Sequence, residues 1–167
     1  MNEFIIKKLE DDIINKYLNY KNLYINRKYS SSKKVIKKID HYLWWFQKQQ
    51  KRISFIIEKK QIPIFISTSD YFFLKNKKFI YSGLISCLPE TNLFDLLKGI
   101  KIQNEYLKTQ KNNICIISID RKNKVLMHHW KYFGYSPLYK DNYLYNSIIK
   151  NLKISKNFNV FFKKIKR

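Results

Sequence analysis

The most restrictive feature of this sequence is an almost unbroken apolar run at residues 114–119, Ile-Cys-Ile-Ile-Ser-Ile. A strand with one face in water alternates apolar and polar residues, whereas a strand covered on both faces does not. The run therefore predicts a strand buried on both faces of a sheet. Asp120 closes the run, a helix is expected over about 122–133, and Gly134 provides a left-handed cap for that helix.

Three further strands are predicted upstream of that run, at about 53–57, 62–73 and 79–86. The polar breaks between them, at 59–61 and 75–78, are short enough for hairpin turns. Asn92 and Asp95 resemble a capping box at the start of a long helix that follows the third strand. Three antiparallel strands followed by two helical crossovers predict a mixed α/β fold.

The flanking parts of the chain have weaker patterns. Before the three strands we expect a strand at about 3–7, a helix at about 11–18, a polar loop at about 20–34 and a second helix at about 35–46. The apolar stripe of that second helix consists of Val35, Ile36, Ile39, Tyr42, Leu43 and Phe46. After the crossovers we expect an edge strand near 135–139, a helix near 143–152, a strand near 158–162 and a basic tail that is solvated at the terminus.

The predicted order of elements is β-α-α-β-β-β-α-β-α-β, followed by a C-terminal extension. The sequence contains neither an internal repeat nor a linker rich in glycine, serine or proline. We therefore expect residues 1–167 to form a single domain, with a core of about 3–140 and an extension of 141–167.

The net charge of +22 would suit a protein that binds nucleic acid, but codon usage explains it equally well. The chain has no alanine, and only four of its 34 basic residues are arginine. Abundant Ile, Lys, Asn, Phe and Tyr, all with codons rich in A and T, are what a genome biased toward A+T would produce. A phosphate-binding surface would more often use arginine, which binds phosphate in a bidentate manner. A basic nucleic-acid-binding module remains the alternative interpretation, and we expect no specific nucleic-acid partner.

The sequence also indicates in which cellular compartment we expect the protein. No apolar run approaches the ~18 residues that a bilayer crossing needs, and the first residues lack the pattern of a secretory signal. Two cysteines cannot build a disulfide framework. These features predict a cytoplasmic protein without a transmembrane segment. The sequence leaves its oligomeric state open.

The most informative segment for function is Asn123 to Tyr135, directly after the buried strand. It resembles the motif N-x-x-A-x-x-L-Y-x-K-x-G-F of GNAT-type N-acetyltransferases. The matching positions are Asn123, Leu126, His129, Trp130, Gly134 and Tyr135. The order of predicted elements over about 3–140 is also similar to that of the GNAT fold, in which two neighbouring parallel strands splay apart.

This resemblance implies that acetyl-CoA is the co-substrate and that a small-molecule amine is the acceptor. It implies that Asn123, Met127 and Trp130, at helical spacing i, i+4 and i+7, form the face that meets coenzyme A. It also places cofactor contacts where the third antiparallel strand leads into the long helix, at Ser86, Cys87, Leu88, Thr91 and Asn92. A backbone N–H near 86–88 would polarise the thioester carbonyl. No metal is implied, since adjacent His128 and His129 diverge on a helix.

A second resemblance concerns His41-Tyr-Leu-Trp44-Trp45-Phe46, which is similar to an H-x-x-W-F element of GNAT enzymes from bacterial surface-sugar pathways. It implies that Trp44 and Trp45 bind the acceptor, and that the acceptor is a nucleotide-linked or surface-glycan amino sugar. Buried tryptophan pairs also serve as core anchors, and the two roles are compatible.

Two departures from the GNAT pattern bear on catalysis. The expected pyrophosphate loop contains glycines, whereas residues 87–92 contain none. Trp130 stands where the family often has a tyrosine that protonates the leaving thiolate. His41 and His129 are the remaining candidates for proton transfer. A catalytically silent protein with this fold is therefore a further alternative.

Overall fold

The computed structural model describes residues 3–48, 52–110 and 113–165. Seven strands form one sheet in the order β1-β2-β3-β4-β5-β7-β6. The strands are β1 Phe4–Lys8, β2 Arg52–Lys59, β3 Ile62–Leu74, β4 Lys77–Ser86, β5 Ile114–Asp120, β6 Ser136–Pro137 and β7 Phe158–Lys164. The helices are α1 Ile14–Asn22, α2 Tyr24–Lys28, α3 Lys38–Lys48, α4 Leu93–Lys108, α5 Lys124–Tyr132 and α6 Tyr145–Leu152, with a 3-10 turn at Asp11–Ile13 before α1.

Strands β1 to β4 pair in antiparallel fashion, and tight turns join β2 to β3 and β3 to β4. Each turn has two central residues with positive φ, namely Lys60 and Gln61 in the first and Lys75 and Asn76 in the second. Two positive φ values in a two-residue turn match the right-handed twist of the flanking strands. The predicted hairpins and the predicted mixed α/β fold are confirmed.

Helices cover both faces of the sheet. On one face, α4 and α5 pack over a core that includes Ile80, Ile117, Ile119 and Trp130. On the other face, α1 and α3 pack over β2 and β3, and α6 packs over β5 and β7. The strand β5 is therefore covered on both sides, as its apolar run predicts.

A close approach between α4 and β3 depends on glycine. A Cβ at Gly99 would lie 2.7 Å from Cδ2 of Phe65. Phe65 is itself buried in β3, so its ring has little room to move aside. The contact sets the distance of α4 from the sheet, and α4 forms one wall of the site described below.

The N-terminal helices differ from the prediction. The expected loop at 20–34 contains the end of α1 and all of α2, and α3 begins at Lys38 rather than near Val35. The predicted apolar stripe of α3 is largely exposed, at Val35, Ile39, Leu43 and Phe46, whereas His41 and Trp45 are buried. Helix α3 turns the face of His41 and Trp45 inward. Trp45 packs edge-on against Tyr17, and its indole N–H donates to Asp11 at 2.8 Å.

The C-terminal extension completes the sheet. Strand β7 lies between β5 and β6, and it pairs with β5 over the whole length of both strands. The sequence predicts a solvated tail after the strand near 158–162, but β7 continues to Lys164 and Ile165 is buried. The prediction was wrong because Lys163 and Lys164 both belong to β7, and Nζ of Lys163 donates to the Phe133 carbonyl at 2.7 Å instead of extending into solvent. Lys166 and Arg167 lie outside the described residues.

Two kinds of feature are missing from the residues that the structure describes. None of the helices there combines the length and the apolar character that a membrane crossing requires. No cluster of three or more His, Cys, Asp or Glu side chains in those ranges could hold a metal ion.

Candidate active site

Strands β4 and β5 are parallel neighbours that pair only at their beginnings. The paired residues are Phe79 with Ile114, Ile80 with Cys115, and Tyr81 with Ile116. Beyond these pairs β4 continues to Ser86 and β5 to Asp120, and the two strands diverge. The splayed parallel pair that the resemblance implied is therefore present. It leaves a wedge in the middle of an otherwise continuous sheet, which we call the gap.

A cavity of about 480 Å³ occupies the gap. Its walls come from both strands and from the helix layers on both faces of the sheet. On one face it contacts Leu96 and Ile100 of α4 and Leu126 and Trp130 of α5, and on the other it contacts the segments 29–31 and 152–155. Two molecules that enter from opposite faces could therefore meet in the gap.

The backbone of β4 presents one amide to the gap, and it is not one that the sequence predicted. The Cys87 amide donates to the Ile64 carbonyl on β3 at 2.8 Å. Because amides alternate in direction along a strand, those of Leu84 and Ser86 are turned toward β5. The Ser86 amide donates to Oδ1 of Asn26 at 2.9 Å. The Leu84 amide is therefore the donor that β4 offers beyond its last pair with β5.

The expected donors at 86–88 are all engaged elsewhere. The Leu88 amide, the third of them, donates to Oγ of Ser86 at 3.0 Å. The prediction of an oxyanion donor there was wrong because the turn after β4 uses these amides to hold its own shape. Ser86 lines the cavity, whereas Cys87 and Leu88 do not. Burial raises the pKa of the Cys87 thiol to about 12.

The start of α4 borders the cavity through Thr91, whose hydroxyl lies 2.6 Å from Oγ of Ser86. Asn92 caps the helix, since its Oδ1 accepts from the Asp95 amide at 2.8 Å and its Nδ2 donates to Asp95 at 2.9 Å. The capping interaction predicted from the sequence is therefore present. Asp95 also pairs with Nζ of Lys59 at 2.9 Å, which lowers the pKa of the carboxyl group. This pairing offsets the repulsion that Asp95 would exert on an anion.

Helix α5 contributes Asn123, Leu126 and Trp130 to the cavity, but not Met127. Asn123 is the N-cap, and its Oδ1 accepts from the Leu126 amide at 3.1 Å. It therefore stands just before the regular helix. Of the three residues of the predicted face, Asn123 and Trp130 line the cavity and Met127 does not. The Met127 sulfur instead accepts from Nδ2 of Asn159 on β7 at 3.1 Å.

On the other side of the gap, Asp120 presents a buried carboxylate at the end of β5. Its Oδ1 accepts from the Lys122 amide at 2.9 Å, and its Oδ2 lies 3.3 Å from Nζ of Lys33. The Lys122 amide and the Lys33 charge together hold the pKa of Asp120 below its usual range. Sequence reasoning treated Asp120 only as the end of a strand. The sequence signal that could have identified Asp120 as a site residue is its position as an acidic residue at the carboxyl end of a strand buried on both faces.

A pair of hydroxyl groups lies where the strands begin to diverge. Oη of Tyr81 is 2.6 Å from Oγ of Ser118, and both residues line the cavity. Burial raises the pKa of Tyr81, so the phenol keeps its proton at neutral pH. Nothing in the sequence distinguished Tyr81 from the other tyrosines.

The remaining sequence candidates lie outside the lining of the cavity. His41 is buried between α1 and α3, with Nε2 3.1 Å from the Ile14 carbonyl, and burial together with the charge of Lys21 lowers its pKa to about 4. Trp44 lies under Nζ of Lys21 and the Arg52 guanidinium, 3.9 and 3.7 Å from its ring centre. His41 and Trp45 occupy core positions, and His129 is half-buried on α5.

The strand order, the parallel pair that diverges, and helices α4 and α5 beside the gap define the GNAT fold, the fold of N-acetyltransferases. No protein-family model and no curated protein sequence matches this chain. The likeness to known proteins is instead one of structure.

Three solved structures illustrate this likeness. A spermidine N-acetyltransferase from Vibrio cholerae, in complex with CoA and spermine, has a TM-score of 0.71 and 11% identity over 97% of this chain and 94% of that one. An N-acetyltransferase from Staphylococcus aureus Mu50 has a TM-score of 0.68 and 14% identity over 98% and 99%. A Salmonella typhimurium protein bound to acetyl-CoA as its cofactor has a TM-score of 0.70 and 6% identity over 99% and 96%. At these identities the likeness establishes the fold.

Proposed function

We propose that this protein transfers an acetyl group from acetyl-CoA to an amine. The observation that carries the proposal is the gap between β4 and β5, with a cavity that reaches both faces of the sheet. A transfer between two substrates needs both reacting groups held together and away from bulk water. The N-acetyltransferases that share the fold support the choice of reaction.

The residues on the α4 and α5 side of the gap fit the pantetheine end of acetyl-CoA. When bound, acetyl-CoA supplies an acyl group activated as a thioester. Asn123 and Trp130 would flank the arm, and Ser86 and Thr91 would lie near its outer part, because all four line the cavity. The loop at 87–92 has no glycine, so the phosphates would rely on the N-terminal amides of α4.

The backbone amide of Leu84 would stabilise negative charge on the oxygen of the reacting carbonyl. A preorganised donor in a site that excludes water is worth far more than the same donor in water. Tyr81 would supply the proton for the leaving sulfur, a task that the indole of Trp130 cannot perform. Ser118, hydrogen-bonded to Tyr81, would orient the phenol.

The acceptor side of the cavity favours a cation. Asp120 is a buried carboxylate with one oxygen held by a backbone amide and the other already paired with an ammonium group. A protonated amine is the acceptor that matches this arrangement, and it must lose a proton before it attacks. An amino sugar is one member of that class. Trp44 and Trp45, on which the amino-sugar prediction rested, lie outside the cavity, so we propose an amine acceptor in general.

Isothermal titration with acetyl-CoA, and separately with a short oligonucleotide, tests the proposal at its first step. We expect acetyl-CoA to bind, and binding of the oligonucleotide alone would favour the nucleic-acid-binding module. Thiol release from acetyl-CoA should then rise when a polyamine, an amino sugar or a peptide amine is added. Binding of acetyl-CoA without thiol release for any amine would support the catalytically silent alternative.

A further inference from the structure

The side chain of Lys33 already pairs with the Asp120 carboxylate, the group proposed above to bind the amine acceptor. Nζ of Lys33 lies 3.3 Å from Oδ2 of Asp120, although the two residues are 87 positions apart in the sequence. The Asp120 side chain is 9% exposed, whereas that of Lys33 is 55% exposed. The lysine thus extends from the surface to a buried carboxylate in the cavity wall.

The segment that carries Lys33 is part of that wall. Tyr29, Ser30 and Ser31, just before it, line the cavity. Nη1 of Arg27 donates to the Lys33 carbonyl at 2.8 Å, and Nζ of Lys33 also donates to the Lys28 carbonyl. The backbone at Lys33 is therefore held in place while its amine points to the end of β5.

The sequence neighbour of Lys33 provides a contrast. Lys34 is exposed, and its backbone amide bonds to Oγ of Ser32. Lys33 is the lysine of this segment whose amine is paired with the cavity carboxylate. A tethered group held beside a reaction site has a large effective concentration there.

We propose that Lys33 is a self-acetylation site, at which the protein transfers an acetyl group to its own side chain. This inference rests on the proposed function, because it needs acetyl-CoA bound in the gap. The Lys33 ammonium loses a proton to solvent, and the amine lone pair forms a bond to the thioester carbonyl carbon. The C–S bond breaks and its electron pair leaves with sulfur, which takes up a proton from Tyr81, and Tyr81 regains the second proton from nitrogen. Acetyl-lysine, coenzyme A thiol and one released proton result.

Acetylation would also change the acceptor side of the cavity. An acetylated lysine carries no charge and cannot form an ion pair. Asp120 would then be free to bind the ammonium group of another acceptor. The modification would therefore open the site to that acceptor.

The test incubates the purified full chain with acetyl-CoA alone and follows intact mass and peptide mapping over time. We expect one acetyl group at Lys33, added about 100-fold faster than at Lys34. The rate per molecule should not change on dilution, because the transfer is intramolecular. Lys33→Arg should abolish the fast acetylation, whereas the matched variant Lys34→Arg should leave it intact. Asp120→Asn should slow it about tenfold, because the side chain of Lys33 is then less firmly positioned at the end of β5.

Titration of acetyl-CoA in the same sample separates failure of this inference from failure of the proposed function. Acetyl-CoA binding with Lys33 no more acetylated than Lys34 would overturn self-acetylation and leave the transferase proposal standing. A rate that rises with protein concentration would show transfer between molecules and would also overturn it. An absence of acetyl-CoA binding would overturn both.

Discussion

The side-chain amide of Asn26 is paired with the backbone of Ser86 through two hydrogen bonds. Nδ2 of Asn26 donates to the Ser86 carbonyl at 2.7 Å, and the Ser86 amide donates to Oδ1 of Asn26 at 2.9 Å. These bonds lie on the side of β4 that β5 has left, so the amide takes the place of a strand residue. Asn26 thereby satisfies the backbone N–H and carbonyl of Ser86 at the edge of the cavity. It also keeps the end of β4 separate from β5.

We expect Asn26→Ala to lower the free energy of unfolding by about 1–3 kcal/mol, because a buried donor and acceptor on Ser86 lose their partners. It should also raise the KM for acetyl-CoA, because the end of β4 is no longer fixed. Urea unfolding and thiol-release kinetics measure the two effects.

Asn22 offers a matched control, since its side-chain amide makes the same two-bond contact with the backbone of Ile36 at 3.0 and 2.8 Å, outside the cavity. Asn22→Ala should cost similar stability and leave the KM for acetyl-CoA unchanged. Equal KM values for acetyl-CoA in the two variants would show that Asn26 does not shape the acetyl-CoA site.

Tyr81→Phe should lower kcat about 100-fold, because the leaving sulfur loses its proton donor. Binding of acetyl-CoA should change little. Tyr71→Phe is the control, since its hydroxyl bonds to Gln110 at 2.8 Å outside the cavity lining. If Tyr81→Phe retained the kcat of the unaltered protein, another group would have to protonate the sulfur.

The stability of the protein should fall as the pH drops from about 6.5 to about 4. The pKa of His41 is lowered to about 4 by burial and by the charges of Lys21 and Arg52. Over this interval the unfolded chain binds a proton at His41 and the folded chain does not, so protons favour unfolding. The loss should be on the order of 2–3 kcal/mol.

Urea unfolding as a function of pH measures this dependence. His41→Gln removes the titrating group and should flatten the curve between these pH values. His128 is exposed, so His128→Gln should leave the dependence unchanged. An unchanged slope in His41→Gln would assign the dependence to other groups.

Gly99→Ala should destabilise the protein by about 1–3 kcal/mol, because the new Cβ would overlap the Phe65 ring and push α4 from the sheet. Gly83→Ala is the control, since its Cβ would meet Oγ1 of Thr68 at an ordinary 3.8 Å. Chemical denaturation compares the two variants. Equal stability of the two would mean that α4 can shift without cost.

Local patterns predicted the features that depend on neighbouring residues. The Asn92 cap and the hairpin turns at Lys60 and Asn76 follow from short-range backbone preferences. The prediction failed for α3, where two apolar faces compete and the contact with Tyr17 and Asp11 decides between them. It failed again at Met127, which does not line the cavity with Asn123 and Trp130, because Asn123 is the N-cap and stands outside the helical spacing of that face.

The sequence by itself determined the order of the strands and of the helices other than α2, the burial of β5 on both faces and the resemblance to the GNAT motif, because periodicity and turn preferences act over a few residues. Only the tertiary structure decided which amide of β4 faces the gap and that Lys33 meets Asp120. Those relationships depend on where β4 and β5 part, and that point is set by packing from α4, α5 and β7, which lie far apart in the chain.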